Sequence, residues 1–371
     1  MYTIMIVTCS KNDLIEGINI SSKAISNRTS MPILECLFLE CNNNEFVLMG
    51  NDLEIGIISK VKATIKENGK IAVSYKIFSE IIKKLPDKEI YIEADDKNIV
   101  IIKCDMSEYK IMGQKGDEYP KPSIIEKNNG FTIFQSELKN MIRQTLFSVA
   151  IEESKPVLTG ELIEITDGFI NIVAIDGYRI SYRKSIVESK DNIKIVVPGK
   201  TMTEIIKILS SDLEKKVTLY FDKNHILFDL DDSIVVSRLL EGEFLSYKQI
   251  LSDNYNTKIK INRIELLSGL ERASLISSVT KKDPVKLEIE ENKIIIKSNT
   301  TLGSAYEEVD IKKEGESLKI SFNPKYLIDA LKAIDDEYIN IKLTSSLTPC
   351  IIVPLDSDDY KYLVLPVRSN D

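Results

Sequence analysis

Lys76, Glu80 and Lys83 form a pattern that the chain states twice more, as Lys200, Glu204 and Lys207 and as Lys325, Asp329 and Lys332. The copies are 124 and 125 residues apart. Steps of four and three residues bring lysine, acid and lysine to one side of a helix, and the apolar pairs Ile81-Ile82, Ile205-Ile206 and Ala330-Leu331 to the other. A row of ammonium groups attracts phosphates without reading bases, and interleaved acids weaken the pull. On the pattern alone, the same lysines also describe a solvated helix face.

Catalytic chemistry has less to stand on. The one histidine, His225, falls at a hairpin tip and reads as solvent-facing. Asp52 and Asp176 share one repeat position, but the third copy has Thr300 there. A metal site would not drop its ligand in that way, and side-chain bonds that shape a turn are the simpler account. No Gly-x-x-x-x-Gly-Lys, Gly-x-Ser-x-Gly or zinc-type spacing occurs, so neither cofactor nor metal is expected. Cys9, Cys36, Cys41, Cys104 and Cys350 are odd in number and include no Cys-x-x-Cys pair. They read as buried thiols in a reducing compartment.

The elements that must carry these residues follow from periodicity. Helical spacing predicts helices over 9–24, 74–84, 135–150, 198–211, 262–277 and 323–335. Alternating apolar residues with polar tips predict a hairpin after each one, for example Gly160–Ala174 around Asp167-Gly168 and Val217–Leu230 around Asp222-Lys223-Asn224. A repeat of this length has the size of a domain. The expectation is an α+β chain of three repeated helix-strand-helix-strand domains, 1–121, 122–254 and 255–371, each two copies of a smaller unit. Candidate linkers are 116–122 and 252–257.

Net charge is −8, which at face value argues against a nucleic-acid partner. The six predicted helices are nevertheless net positive, so the acidity lies elsewhere in the chain. No apolar run has the length of a membrane span, and the N-terminus lacks a basic region followed by an apolar core. A cytoplasmic protein with no membrane contact is expected.

In this setting several segments resemble the bacterial DNA polymerase III beta subunit, the sliding clamp. They are Pro32-Ile33-Leu34, Gly50-Asn51-Asp52-Leu53-Glu54, Lys155 to Gly160, Ala174 to Ile180, Glu241-Gly242-Glu243-Phe244 with Tyr247, and Leu365-Pro366-Val367-Arg368. All stand in register with the threefold repeat. The resemblance implies the DNA clamp fold, with two chains closing a ring, helices inside and sheets outside. It implies a homodimer that encircles double-stranded DNA without sequence preference. The ring would tether the polymerase III catalytic subunit, the clamp loader and other proteins with clamp-binding motifs, and would itself be non-catalytic.

Simple arithmetic agrees with a dimer. Twelve helices spaced about 9 Å apart around a circle leave an opening of roughly 24 Å, enough for a duplex, whereas six leave only about 7 Å.

The resemblance also assigns residues. Arg28 and the six repeated lysines, Lys76, Lys83, Lys200, Lys207, Lys325 and Lys332, would face DNA. A cleft for short partner peptides would use Leu158, Ile175, Gly177, Tyr178, Arg179, Ile180, Leu245, Ile250, Leu347, Leu363, Pro366, Val367 and Arg368. Their apolar members suit an anchor trough, and Tyr178 and Arg368 a polar rim. Tyr109, Ile111, Leu275 and Ile276 would form the seam between subunits. Core packing is the alternative for the apolar members of both sets. Two departures from the family stand out: Leu245-Ser246 where Pro-Asp is common, and an acidic end, Ser369-Asn370-Asp371, beyond Arg368. They motivate the alternative of a divergent clamp-like scaffold or regulator outside bulk replication.

Overall fold

Six times the chain runs strand, helix and then a three-stranded meander. The computed structural model describes residues 3–26, 29–42, 45–123, 125–128, 130–151, 155–189, 192–251, 254–276, 283–301 and 303–368. The first module is β1 (Thr3–Ser10), α1 (Lys11–Ser21), β2 (Cys36–Asn42), β3 (Glu45–Asn51) and a last strand broken at Lys62 into β4 (Ile55–Val61) and β5 (Ala63–Glu67). The second is β6 (Gly69–Ser74), α2 (Tyr75–Lys84), β7 (Glu89–Asp95), β8 (Ile99–Cys104) and β9 (Ser107–Lys115). The third is β10 (Gly130–Phe134), α3 (Gln135–Arg143), β11 (Gly160–Thr166), β12 (Phe169–Ile175) and β13 (Arg179–Ile186). The fourth is β14 (Ile193–Pro198), α4 (Gly199–Ile208), β15 (Lys216–Phe221), β16 (His225–Asp229) and β17 (Ser233–Arg238).

A short helix, α5 (Tyr247–Ile250), precedes the fifth module: β18 (Thr257–Asn262), α6 (Arg263–Ser274), β19 (Val285–Ile289), β20 (Lys293–Thr300) and β21 (Gly303–Gly315). The sixth is β22 (Leu318–Phe322), α7 (Pro324–Ala333), β23 (Tyr338–Leu343), β24 (Cys350–Val353) and β25 (Tyr360–Val364).

All six expected helices are present, and each is shorter than periodicity suggests. Cys9 and Ser10 belong to β1, and the Ser10 hydroxyl caps α1 by accepting from the Asp13 amide at 3.1 Å. Asn262 caps α6 through the Ile264 and Glu265 amides, and Asn323 caps α7 ahead of Pro324. At the end of α3, Thr145 donates its hydroxyl to the Met141 carbonyl at 2.8 Å, and the chain tightens into a turn over Leu146–Ser148.

The strand before each helix and the third strand of each meander are additional to the expectation. β6 shows why: its central residues Ile71, Ala72 and Val73 are fully buried, and it passes straight into α2 with no turn residue to mark the change.

By packing, the described chain divides into two compact halves, residues 1–136 with 207–239 and residues 137–206 with 240–371. The first half holds a 13-stranded sheet and the second a 12-stranded one, antiparallel throughout their described pairings. The central repeat is shared out between them. β10 and β15–β17 belong to the first half, where β17 pairs with β4 from Ser233 opposite Ser59 to Ser237 opposite Ile55. β11–β14 belong to the second, where β13 pairs with β25 from Arg179 opposite Val364 to Arg183 opposite Tyr360.

In the first half, Leu14 and Ile18 of α1 and Phe78 and Ile82 of α2 share one core with Leu37, Leu48, Ile92 and Val100 from the strands. A fully buried side chain of this kind contributes roughly 1.5–3 kcal/mol. In the second half, Leu266 and Leu270 of α6 and Leu327 and Leu331 of α7 meet Ile259, Ile296 and Phe322 in the same way. The apolar stripes of the helices therefore explain which face each one buries.

Meander turns rest on aspartates. Asp52 accepts from the Glu54 and Ile55 amides, Asp176 from Tyr178 and Arg179, and Asp222 from Asn224 and His225, at 2.7–3.1 Å. Residue Gly177, one after Asp176, has φ +89°, and its counterpart Leu53 has φ +76°. That left-handed conformation is costly for leucine and free of steric penalty for glycine. Leu53 is also well exposed, so little burial depends on it. Leu53→Gly should raise stability by roughly 0.5–1 kcal/mol once glycine's larger unfolded-state entropy is offset. Urea unfolding checks this, and an unchanged or lower midpoint would count against the strain argument.

Candidate functional site

The second half contains a cleft of about 1220 Å³. Its walls come from the turn after α3 (Leu146, Phe147, Val149, Ala150), from Leu158, from the β12–β13 turn (Asp176 to Arg179) and from the first turns of α7 (Asn323 to Tyr326, Ile328, Asp329). The elements meet here because β13 pairs with β25 and the chain after β25 lies along the same edge. The Leu365 amide donates to the Tyr178 carbonyl at 2.9 Å, and the Val367 amide to Ser321 at 2.8 Å.

Arg179 ties the walls together. It is 8% exposed. Its Nε donates to Asp176 at 2.9 Å, its Nη1 to Asp329 on α7 at 2.7 Å, and its Nη2 to the Phe147 carbonyl. The guanidinium lies 4.7 Å from the Tyr326 ring centre and 5.2 Å from that of Phe147. Tyr178 stacks on Tyr326 with centroids 5.9 Å apart, and burial holds the Tyr326 hydroxyl above its usual range, so it stays neutral. Three elements are thus clamped by one cation whose hydrogen-bonding edges are occupied.

The expected cleft residues divide into three groups. Leu158, Gly177, Tyr178 and Arg179 line the cleft. Leu158 also joins Ile175, Ile180 and Leu363 in a buried apolar cluster with Phe244, Tyr247 and Leu251. Leu245, Ile250, Leu347 and Val367 are exposed at 39%, 46%, 75% and 39%, and Arg368 is exposed beside a half-buried Pro366. None of these six is among the residues lining the cleft. Phe147, Asn323, Tyr326 and Asp329 are cleft residues absent from the sequence-based set. Asp329 carried a signal as the acid of the repeated pattern; Tyr326 lies 148 residues from its stacking partner Tyr178, and spacing cannot link them.

All six repeated lysines are exposed. Their surroundings differ. On α2, Lys83 lies 3.6 Å from Glu80. On α7, Asp329 is taken up by Arg179, Lys332 bridges to Glu271 of α6 at 2.7 Å, and Lys325 is itself a cleft-lining residue. Arg28 and Ser369 to Asp371 lie outside the described residues.

Of the residues expected at a seam, Tyr109 is exposed and Ile111 half-buried on β9, while Leu275 is 82% exposed and Ile276 half-buried at the end of α6. Each neighbouring strand has an edge with no strand partner among the described residues. Over Ser107–Met112, β9 has one described strand neighbour, β8, and over Gly303–Asp310, β21 has one, β20.

Other reactive groups are withdrawn. The five cysteines are free and buried, and burial pushes the Cys9 and Cys41 thiols up to about 12. His225 is half-buried on β16, with Nδ1 3.5 Å from Asp222. No group of metal-binding side chains occurs among the described residues. No helix among them is long and apolar enough to cross a membrane.

Comparison with known proteins identifies the family. The sequence models of the N-terminal, central and C-terminal domains of the DNA polymerase III beta subunit match residues 5–123, 132–245 and 248–368. The beta sliding clamp of Halalkalibacterium halodurans is 34% identical over 370 residues, covering 96% of this chain and 97% of that one. A putative DNA polymerase III beta subunit from Eubacterium rectale superposes with a TM-score of 0.95 at 41% identity, covering 98% of this chain and 100% of the other. For the DNA polymerase sliding clamp of Bacillus subtilis the TM-score is 0.95 at 32% identity, over 99% and 100%. Matched by all three domains in order, the chain belongs to the DNA polymerase III beta subunit family, the DNA sliding clamps.

Proposed function

We propose that two copies of this chain close head to tail around duplex DNA and hold partner proteins there, without catalysis of their own. The observation that carries the ring is a rule of strand pairing. The last strand of the first module pairs with that of the fourth (β4 with β17), and the last strand of the third with that of the sixth (β13 with β25). Continued once more, the rule joins the fifth module to the second, β21 to β9, and each has an edge without a strand partner among the described residues. The partner strand has to come from a second copy, because six helices alone enclose only about 7 Å. A contact between unlike surfaces that closes after two subunits is heterologous, as β9 and β21 require.

Arg28 and the repeated lysines supply the DNA-facing charge in this reading, and the three-domain division of the sequence supplies its symmetry. The cleft around Gly177, Tyr178 and Tyr326 takes a short peptide from the polymerase catalytic subunit, the clamp loader or another partner. The protein acts where the DNA is, in the cytoplasm.

Leu275→Asp combined with Ile276→Asp should convert a dimer of two 42.0 kDa chains into folded monomers. A pair of substitutions that leaves the sedimentation mass at two chains at micromolar concentration would remove these residues from the seam.

Loaded protein should stay on closed circular duplex at salt concentrations that abolish binding to short linear fragments. Phosphate contacts weaken steeply with salt, whereas a closed ring leaves only by opening or by reaching an end. Equal loss rates from circles and linear DNA would exclude topological linkage.

For the cleft, an isolated peptide with a glutamine and leucine and phenylalanine anchors should bind with a Kd in the micromolar range, since a small contact leaves little after ordering costs. Tyr326→Ala removes the stacking partner of Tyr178 and should weaken binding by about tenfold, from the roughly 0.5–1.5 kcal/mol of an aromatic pair together with its buried area. Titration calorimetry that finds the same Kd for parent and variant would place the peptide elsewhere.

A further inference from the structure

Glu161 is a fully buried carboxyl in a chain that does not need one at that place. It lies opposite Val197, two residues before α4 begins. The same place in the first and last domains is opposite Val73 before α2 and Phe322 before α7, and is filled by Leu37 and Val285. All three side chains are 0% exposed. Two internal copies show that an apolar residue satisfies the fold here, so the carboxyl of the middle copy has to be explained by what it touches.

It touches the cleft wall from behind. Ala174 pairs with Ser181, and Ser181 with Tyr362, while Glu161 precedes Leu162, which pairs with Val173. Glu161, Ala174, Ser181 and Tyr362 therefore form one row across four strands, about 4.8 Å apart from strand to strand. The two small residues leave room above the row, and the turn after α3 occupies it. Ser181 donates to the Thr145 carbonyl at 2.7 Å, and the Thr145 hydroxyl lies 2.5 Å from Glu161 Oε1. From Thr145 the chain passes directly into Leu146, Phe147, Val149 and Ala150 of the cleft wall, and the Ser148 amide donates back to the Thr145 carbonyl.

Proton bookkeeping favours the neutral acid. Thr145 has one hydroxyl proton and lies 2.8 Å from the Met141 carbonyl as well as beside Glu161. A protonated Glu161 can donate to Thr145, which then donates to Met141, and both contacts are satisfied. An ionised Glu161 would compete for that proton and would hold a charge whose Oε2 has no partner among the described residues.

Burial pushes the Glu161 carboxyl up to about 8, against the opposing effect of the Thr145 hydrogen bond. Charged or titratable groups on the surrounding elements include Glu137, Lys139 and Arg143 on α3, Lys200 and Glu204 on α4, Arg179 and Arg183 on β13, Tyr360 and Tyr362 on β25 and Asp335 after α7. Arg143 is paired with Asp335, and Arg183 lies 4.0 Å from Glu137. None of their charges is a cause of the Glu161 shift.

We infer that Glu161 is a positioning residue of the cleft, which in its neutral form braces the Thr145 turn and with it Phe147 and Ala150, and which releases that wall when it loses its proton. The inference rests on the peptide-cleft reading for its functional consequence, but not for the brace itself. The sign follows from the raised value. The folded chain keeps the proton up to about pH 8, whereas an unfolded glutamate releases it near 4.5. Stability from the neutral form falls as pH rises through that window, and above it the folded site carries a buried charge.

Two measurements test this on the full-length protein with Glu161→Gln and with Glu161→Leu, the latter reproducing the residue of the first domain. The first is the Kd of an acetylated, labelled peptide carrying a glutamine and leucine and phenylalanine anchors, from pH 7 to 9.5. Affinity of the parent should fall by at least about threefold across that range, bounded by tenfold per pH unit for one proton, and the slope should vanish in both variants. The second is amide exchange protection of residues 146–150 without peptide, which should drop at pH 9.5 in the parent alone. Equal slopes in parent and variants, or unchanged protection in the parent, would overturn the inference. If no protein binds the peptide at any pH, the cleft reading fails, and the exchange result still decides whether Glu161 braces the turn.

Discussion

An antiparallel strand at the end of a sheet leaves a row of backbone donors and acceptors that something has to satisfy. In this chain the last strand of every module faces that demand. Two joints meet it internally, and each does so with a full ladder: β17 on β4, extended by the Lys60 amide to Asp232 and the Arg238 amide to Glu54, and β13 on β25, extended by the Lys184 amide to Asp359. The cleft depends on the second of these ladders. Tyr178 is held where its carbonyl accepts from Leu365, and that bond is the next rung beyond Arg179 opposite Val364. The same demand at β9 and β21 is what makes a second subunit the natural partner in the proposed ring.

Arg179 adds a directional lock to that joint. A guanidinium with two carboxylates and a carbonyl on its edges and two aromatic rings near its faces has its own charge fully matched in the wall. Loss of one partner from such a buried arrangement typically costs about 3–5 kcal/mol, because the remaining charge stays behind. The lock also alters the charge pattern of α7. Its acid is turned to structural use, so Lys325 and Lys332 are not balanced along the helix as Lys83 is by Glu80 on α2. Helices with one sequence pattern therefore present different fields, and α7 serves both the lysine face and the cleft.

The internal repeats act as controls on one another. Asp52 and Asp176 make the same turn bonds, which separates a folding role from a chemical one at that position. Leu37 and Val285 show equally that the buried carboxyl of Glu161 is not demanded by the architecture. Shared residues trace the module, and departures from the pattern locate the features particular to one domain.

The repeat, the helices, the hairpin tips and the family were legible in the chain itself, because periodicity and turn chemistry are local and the motifs are contiguous. Helix ends were overextended where a side chain intervened, as Ser10 does at α1 and Thr145 at α3. Buried strands such as β6 carried no alternation to read. The cleft was only partly legible. Leu158, Gly177, Tyr178 and Arg179 sit in recognisable segments, whereas Phe147, Asn323, Tyr326 and Asp329 become cleft residues solely because β13 pairs with β25 and Arg179 reaches α7. Sequence by itself determined the repeat and the number of its copies, with a helix and a hairpin in each, but not the first and last strands of the module. Which module edges meet, and so which distant side chains share a site, was decided by backbone hydrogen bonding between strands more than 170 residues apart, and such pairing leaves no local trace.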